Sequence, residues 1–527
     1  MPHISVTAAL TPHKPALIMA NSGKTVSYQE FDRNTNRVAQ AFRTLGIHSG
    51  DHVALMMENN AHFLELCWGA YRSGVIFTPI STHLKADEIA YILQNCEAKL
   101  FVVGSTLRAS AEALLQADTD VEHSYMFGGI APGYDSWEEL LDKMPHTPVD
   151  DQIKGAAMLY SSGTTGKPKG VFAPPADTAF DSPHALSTTL GAAFGFGEEA
   201  VYLSPAPLYH AAPLHYCMMT QDMGGTVVVL EKFDAHDSLA AIERYQITHS
   251  QWVPIMFVRM LKLDPSVRDQ YNLSSHRFAI HAAAPCPVEV KQQMIDWWGP
   301  IIVEYYAASE SIGATLITSP EWLTHRGSVG RPMSGKLHIL GEEGEALGPN
   351  EVGTIYFEVG EFAASRFEYY KEPAKTAEAY LNDSLATTGD VGYVDEEGYL
   401  YLTDRKHFTI ISGGVNIYPQ EIENTLINHE RVADVAVFGV PDEEFGERVH
   451  AVVEPENWVD STDEVAMELL EWLRERLSHI KVPKAIDFME KLPRMDNGKL
   501  YKRHLVDAYK AAARDDAKSS NRDSPYE

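Results

Sequence analysis

At 527 residues the chain is too long for one small module, because domains run to roughly 100–200 residues each. Hydrophobic residues make up 45% and charged residues 22%, the balance of a chain that buries a large core, which excludes a disordered polymer. The 43 Lys and Arg against 73 Asp and Glu leave a formal net charge of −30. That sign excludes a general binder of nucleic-acid phosphates and requires any anionic ligand to be met by a local basic cluster.

The N-terminal stretch carries no basic segment followed by an apolar run and a small-residue cleavage site, so it does not read as a secretory signal. From about residue 51, short β-rich runs alternate with helical patterns. Strands are predicted at 52–57, 75–80 and 99–103, with a helix over Ala61–Arg72 between the first two. Further strands are predicted at 201–203, 226–230, 277–281 and 301–305. This rhythm predicts an α/β fold of layered, largely parallel sheets. Each run ends in Pro, Gly or small polar residues, where ligand-binding loops of such sheets sit. The apolar stretch 301–317 is interrupted by Glu304 and Glu310, and no run is long and uncharged enough to cross a bilayer.

The texture changes after Leu402, and a domain boundary is placed so that a large N-terminal α/β domain covers residues 1–403. Strands at 435–440 and 448–453, and a helix with Leu469, Trp472, Leu473, Leu477 and Ile480 on one face, predict a small α+β domain over 404–510. Residues 511–527 are polar and predicted to be a disordered tail. The four cysteines, Cys67, Cys96, Cys217 and Cys286, show no C-x-x-C spacing, so neither a disulfide framework nor a zinc site is expected. A reducing compartment, the cytoplasm, fits that usage.

The most informative segment is Tyr160-Ser161-Ser162-Gly163-Thr164-Thr165-Gly166-Lys167-Pro168-Lys169-Gly170. Hydroxyl side chains, glycines that bare their backbone N–H groups and two lysines fall within one turn-rich loop, as wrapping a polyphosphate requires. A surface loop rich in turn formers is the blander reading, but such loops rarely gather all three residue types so densely. It is not a Walker loop, because Gly163 and Gly166 are too close and Pro168 follows Lys167. There is no H-E-x-x-H and no G-x-S-x-G. The stretch 195–200 fits a dinucleotide fingerprint only superficially, since it precedes a predicted strand instead of following one.

The YSSGTTGKPKG segment resembles the signature loop of the adenylate-forming superfamily of acyl-CoA synthetases, luciferases and peptide-synthetase adenylation domains. Further matches follow in the family's order: 304–310 (EYYAASE), 327–332 (GSVGRP), 388–390 (TGD), Asp404 and Arg405, 412–419 (SGGVNIYP) and 493–499 (PRMDNGK). Together they span nearly the whole chain.

The resemblance implies roles position by position. The loop from Ser161 to Lys169, including Ser162, Gly163, Thr164, Thr165, Gly166 and Lys167, would hold the ATP phosphates. Tyr306 would stack on adenine, with Ala283, Ala284 and Pro285 on its other side; a flat π face suits a purine. Ser309, where Thr is usual, would contact the AMP phosphate, and Glu310 would hold magnesium, an ion that favours carboxylate oxygen. Asp390 and Arg405 would reach the ribose. Lys499 would be carried by the small domain to the α-phosphate and the substrate carboxylate, a preorganised charge most effective in a dry site. His210 would line the carboxylate end of the acyl site, and Trp252, His281, Ala282, Ala307 and Ile312 would line its pocket. Ser412, Gly413 and Gly414 would border the tunnel for coenzyme A, and His407 would be the hinge. The cations Lys481, Lys484, Lys491, Arg494, Lys499, Lys502 and Arg503 form a basic island expected to meet phosphates of ATP or coenzyme A.

The expected function is therefore ATP-dependent ligation of a fatty or other apolar carboxylic acid to coenzyme A through an acyl-adenylate, with Mg2+. Carrier-protein loading, luciferase-like chemistry and a non-catalytic nucleotide-binding regulator are the alternatives, and monomer and homodimer are both left open. Three positions depart from the family pattern: Ala307 replaces Gly, His407 replaces Asp or Lys, and Met495 replaces Thr.

Overall fold

The computed structural model describes residues 3–117, 119–161, 168–173, 180, 191, 193–334, 336–359, 366–405, 409–412, 415–442, 445–494, 500, 502 and 505–509. Two large sheets, two smaller antiparallel sheets and a C-terminal sheet carry the fold among the described residues.

The first large sheet has six strands, in the order Asp135–Ser136, His123–Phe127, Ala98–Gly104, His52–Met56, Ile76–Pro79 and Ala156–Ala157, every pair parallel. Its central strand His52–Met56 is buried at all five positions, which is why the sequence there reads as an unbroken apolar run with no alternation. The helix Ala61–Arg72 starts where Asn60 accepts hydrogen bonds from the backbone N–H groups of His62 and Phe63. It is buried nearly all round, because it packs between this sheet and the helices Tyr28–Thr44 and Ala211–Asp222. Trp68 Nε1 donates to Gln221 Oε1 at 2.8 Å and joins those two helices.

The second large sheet has nine strands: Arg331–Ser334, Ala314–Thr318, Ile302–Ala307, Phe278–His281, His249–Trp252, Val201–Ser204, Thr226–Val229, Pro15–Met19 and Thr25–Ser27. Its middle pairs are parallel and its outer pairs antiparallel. The predicted α/β layering is thus the observed one, with strand ends within a residue or two of expectation. The loops at the carboxyl ends of the central strands open on one side, where α/β sheets bind ligands.

An antiparallel sheet of Lys336–Leu340, Gly353–Glu358, Asp390–Val394 and Leu400–Arg405, with Leu385–Ala386 on its side, lies against that opening. Its last strand runs through the expected domain boundary: Val391 pairs with Asp404 and Asp390 with Arg405. The next strand, Ile410–Ser412, belongs to the C-terminal sheet, so the changeover falls between Arg405 and Ile410. The change of texture after Leu402 marks the polar end of a strand, not the end of the sheet.

In the C-terminal sheet, Val432–Asp442 and Gly446–Pro455 form a long antiparallel pair, and Ile486–Phe488 adds parallel to the second. The helix Asp463–Arg474 buries Leu469 and Leu473 but ends earlier than predicted. Ser478 is extended at φ −63 and ψ 145, which breaks the helical path, and Ile480 is left exposed. No described helix is long and apolar enough to cross a membrane, and all four cysteines are free thiols.

Candidate active site

Two walls of a slot come from different sheets. The strand Ile302–Ala307 ends in Tyr306 and Ala307, then turns back through 308–313, with Ser311 at φ 52, to pair Ala307 with Ala314. Ser309 and Ala307 are exposed on this turn and Glu310 is half-buried. Opposite, Gly389 at φ 81 makes the sharp turn that delivers Asp390 to the head of its strand. The Tyr306 hydroxyl donates to Asp390 Oδ2 at 2.6 Å, and Thr388 Oγ1 donates to the same oxygen at 2.9 Å. Arg405 is the cross-strand partner of Asp390. The loop 282–285 follows the neighbouring strand Phe278–His281, with Ala283 exposed at φ 78. Among the described non-glycine residues at positive φ, Ala283 and Ser311 flank this slot, the kind of place where backbone strain collects.

The hydroxyl-rich segment is the connection of a β-hairpin. Leu159–Ser161 pairs antiparallel with Lys169–Phe172, and Ser161 faces Lys169; residues 162–167, with Ser162, Gly163, Thr164, Thr165, Gly166 and Lys167, lie outside the described residues. Val171 pairs in turn with Tyr369. The Tyr369 hydroxyl donates to Glu310 Oε1 at 2.9 Å, and Lys169 Nζ stands 4.7 Å from the centre of the Tyr369 ring. One tyrosine thereby joins the exit of the hairpin loop to Glu310.

The residues predicted for the acyl site come from several elements. His210 precedes the helix Ala211–Asp222 and packs on Tyr209, ring centres 4.4 Å apart. Ala282 is buried, and Ile312 is buried in the cluster of Phe357 and Ile355. Trp252 and His281 are register partners on parallel strands, both fully buried. Trp252 donates from Nε1 to Ser250 Oγ at 2.5 Å and meets Trp298 edge-on, while His281 meets Phe257. Both pack against the helices Pro254–Leu261 and Val288–Trp298. Ser412 is buried and pairs with Gly446; Gly413, Gly414, His407 and Lys499 lie outside the described residues. Arg494 bridges to Leu500 across the segment that holds Lys499.

Residues 4–363 match the AMP-binding enzyme family and residues 421–499 match the AMP-binding enzyme C-terminal domain. The chain belongs to the AMP-binding enzymes. This places it in the adenylate-forming superfamily that its ordered motifs resemble. It is 29% identical over 513 residues to the long-chain-fatty-acid–CoA ligase FadD13 of Mycobacterium tuberculosis, covering 96% of this chain and 97% of that one. It is 31% identical over 512 residues to a feruloyl-CoA synthase of Amycolatopsis, covering 94% and 96%. Among solved structures, ATP-bound MatB from Rhodopseudomonas palustris superposes with a TM-score of 0.77 at 26% identity, covering 96% and 99% of the two chains.

In this AMP-binding enzyme four cations of the basic island are paired with carboxylates of the same domain. Lys481 contacts Glu421 at 2.6 Å, Lys484 contacts Asp442 at 3.2 Å, Lys502 contacts Glu423 at 2.7 Å, and Arg494 Nη2 donates to Asp434 Oδ1 at 2.6 Å. Folding brings acidic residues from 421–442 onto cations from 481–502, a pairing that the linear charge pattern hides. Tyr369 was not anticipated either. Its contacts with Lys169 and Glu310 arise from cross-strand pairing, and nothing local in 366–371 marks it.

Proposed function

We propose that the chain is an AMP-forming acid–thiol ligase that joins a carboxylic acid to coenzyme A in two half-reactions. The carboxylate attacks the α-phosphate of ATP to give acyl-AMP and pyrophosphate, and the thiol of coenzyme A then displaces AMP. The observation that carries this reading is the joined pair Tyr306 and Asp390 at 2.6 Å, with the hairpin loop exit, Lys169, Tyr369 and Glu310 in one connected group. That geometry supports an aromatic wall for adenine, a carboxylate for the ribose hydroxyls and a cation with a carboxylate for the phosphate end.

Magnesium suits Glu310. Among the described residues no three or more His, Cys, Asp or Glu are gathered as a metal cage, so an ion there would draw most ligands from phosphate oxygens and water, the usual habit of Mg2+. Bound there, it would neutralise phosphate charge; Glu310 would hold it and Tyr369 would orient Glu310. Lys499 supplies the movable charge for the first half-reaction, and His407 is the pivot that withdraws it. Ser412, Gly413 and Gly414 border the path of the thiol.

The acid is a fatty or other apolar one. Support comes from the buried apolar setting of Ala282 and Ile312 and from relatives named for long-chain fatty and feruloyl acids. The free thiols of all four cysteines support a cytoplasmic enzyme. The test is a panel of carboxylic acids assayed for pyrophosphate release with ATP, followed by thioester formation on adding free coenzyme A. Pyrophosphate release without thioester would move the reading to a carrier-protein acceptor, and neither product with any acid would leave a nucleotide-binding regulator.

A further inference from the structure

Behind the 282–285 loop lies a group of polar side chains that the proposed chemistry does not use. Trp252, His281 and Glu304 stand in one row across three parallel strands. Glu304 is 4% exposed, and His281 and Lys291 are each 0% exposed. Lys291, on the helix Val288–Trp298, places Nζ 2.5 Å from Glu304 Oε2. His281 Nε2 is 3.6 Å from the same oxygen, and neither ring nitrogen has a hydrogen-bond partner among the described residues. The Lys291 ammonium also lies 5.0 Å from the centre of the Trp322 ring.

Removing a lysine and a glutamate from water is costly, and apolar residues of similar volume often hold a core as well as a buried ion pair does. Core stability alone therefore gives no reason for charges here; their position does. His281 is the last residue of the strand before the loop, and Lys291 sits one turn into the helix after it. Both ends of the loop thus converge on one carboxylate. The strand that bears this carboxylate carries Tyr306 two residues further on. Within the loop, Ala283 is held at φ 78, a conformation that persists only where the surroundings enforce it.

We propose that Glu304 is a positioning residue for the nucleotide. Through Lys291 it ties the helix end of the 282–287 segment to the strand that carries Tyr306, while the strand register of His281 with Glu304 sets the other end, and so it fixes the width of the slot between loop and ring. The clamp rests on the adenylation reading, because it needs a nucleotide in that slot.

The test measures dissociation constants for ATP and AMP by calorimetry, together with melting temperatures. It compares the parental chain with Glu304→Gln, Lys291→Met and the double variant Lys291→Met/Glu304→Leu. Glu304→Gln should weaken both nucleotides about tenfold, while kcat at saturating ATP stays within about twofold, the pattern of lost uniform binding. The double variant leaves no unpaired buried charge, so it should regain the parental melting temperature and still bind nucleotide weakly. Recovery of both properties would overturn the clamp and leave an ordinary core ion pair. Should the double variant not fold, Glu304→Gln decides, since it keeps the side-chain shape: parental nucleotide affinity there overturns the proposal. A parental chain that binds neither nucleotide removes the adenylation reading and the clamp together, whereas parental binding with unaffected variants removes only the clamp.

Discussion

The Tyr306 hydroxyl donates to Asp390 Oδ2 at 2.6 Å across 84 residues of sequence. It ties the end of a strand in the nine-stranded sheet to the head of a strand in the antiparallel sheet, and so closes the slot from two independent layers. Asp390→Ala should weaken ATP binding by about 1.5–3 kcal/mol, the range for hydrogen bonds to a charged group. Tyr306→Phe keeps the flat ring and should weaken it by only about 0.5–1.5 kcal/mol. Calorimetry on folded variants checks both, and unchanged affinity in Asp390→Ala would remove that carboxylate from the site.

Tyr369 holds Glu310 through its hydroxyl and underlies Lys169 with its ring, so the two contributions are separable. Tyr369→Phe should raise the Mg2+ concentration for half-maximal pyrophosphate release several-fold, on the order of the 1.5–3 kcal/mol carried by a hydrogen bond to a charged group. Tyr369→Leu should add about 0.5–1 kcal/mol from the lost cation–π contact. Paramagnetic resonance of Mn2+ in the ATP complex reads the same shift without turnover. A Phe variant with parental metal affinity would show that Tyr369 only packs.

Lys499→Ala should block pyrophosphate release while sparing thioester formation from supplied acyl-AMP, because charge builds on phosphorus only in the first half-reaction. Loss of about 10² or more in that step, the size of removing one preorganised donor, is expected in single-turnover assays. Equal losses in both halves would assign the lysine a different part.

Acid should destabilise the fold from within the nine-stranded sheet. Burial lowers His276 to about 3, with the nearby charge of His249 adding to it. Burial likewise lowers His249 to about 4, against the hydrogen bond to the Phe194 carbonyl. Both are neutral when folded and accept protons near pH 6.5 when unfolded, so the unfolded chain binds more protons below that pH. Their contribution is complete above about pH 6.5 and falls as pH drops toward 4, by about 1.4 kcal/mol per pH unit for each group. Melting temperature should fall between pH 7 and pH 5, and His276→Gln should flatten that fall; an unchanged slope would place the acid sensitivity elsewhere.

The α/β layering was legible because it is local. The strand His52–Met56 and the helix Ala61–Arg72 are written in runs of apolar residues and in an Asn cap, and neighbours along the chain decide both. The ordered motifs from the hydroxyl-rich loop to 493–499 were legible for a different reason: ligand contact fixes residue types regardless of what surrounds them. The polar pairings were not legible, since each depends on which strand lies beside which. Tyr369 meets Lys169 and Glu310 only because 368–369 pairs with 169–172. Arg494 and Lys502 read as free cations until folding sets Asp434 and Glu423 against them. Residue types and spacing by themselves determined the layers and the chemistry on offer; only the tertiary structure decided which charges neutralise one another and which side chain holds another in place, because those contacts form between segments that the chain brings together from up to 200 residues apart.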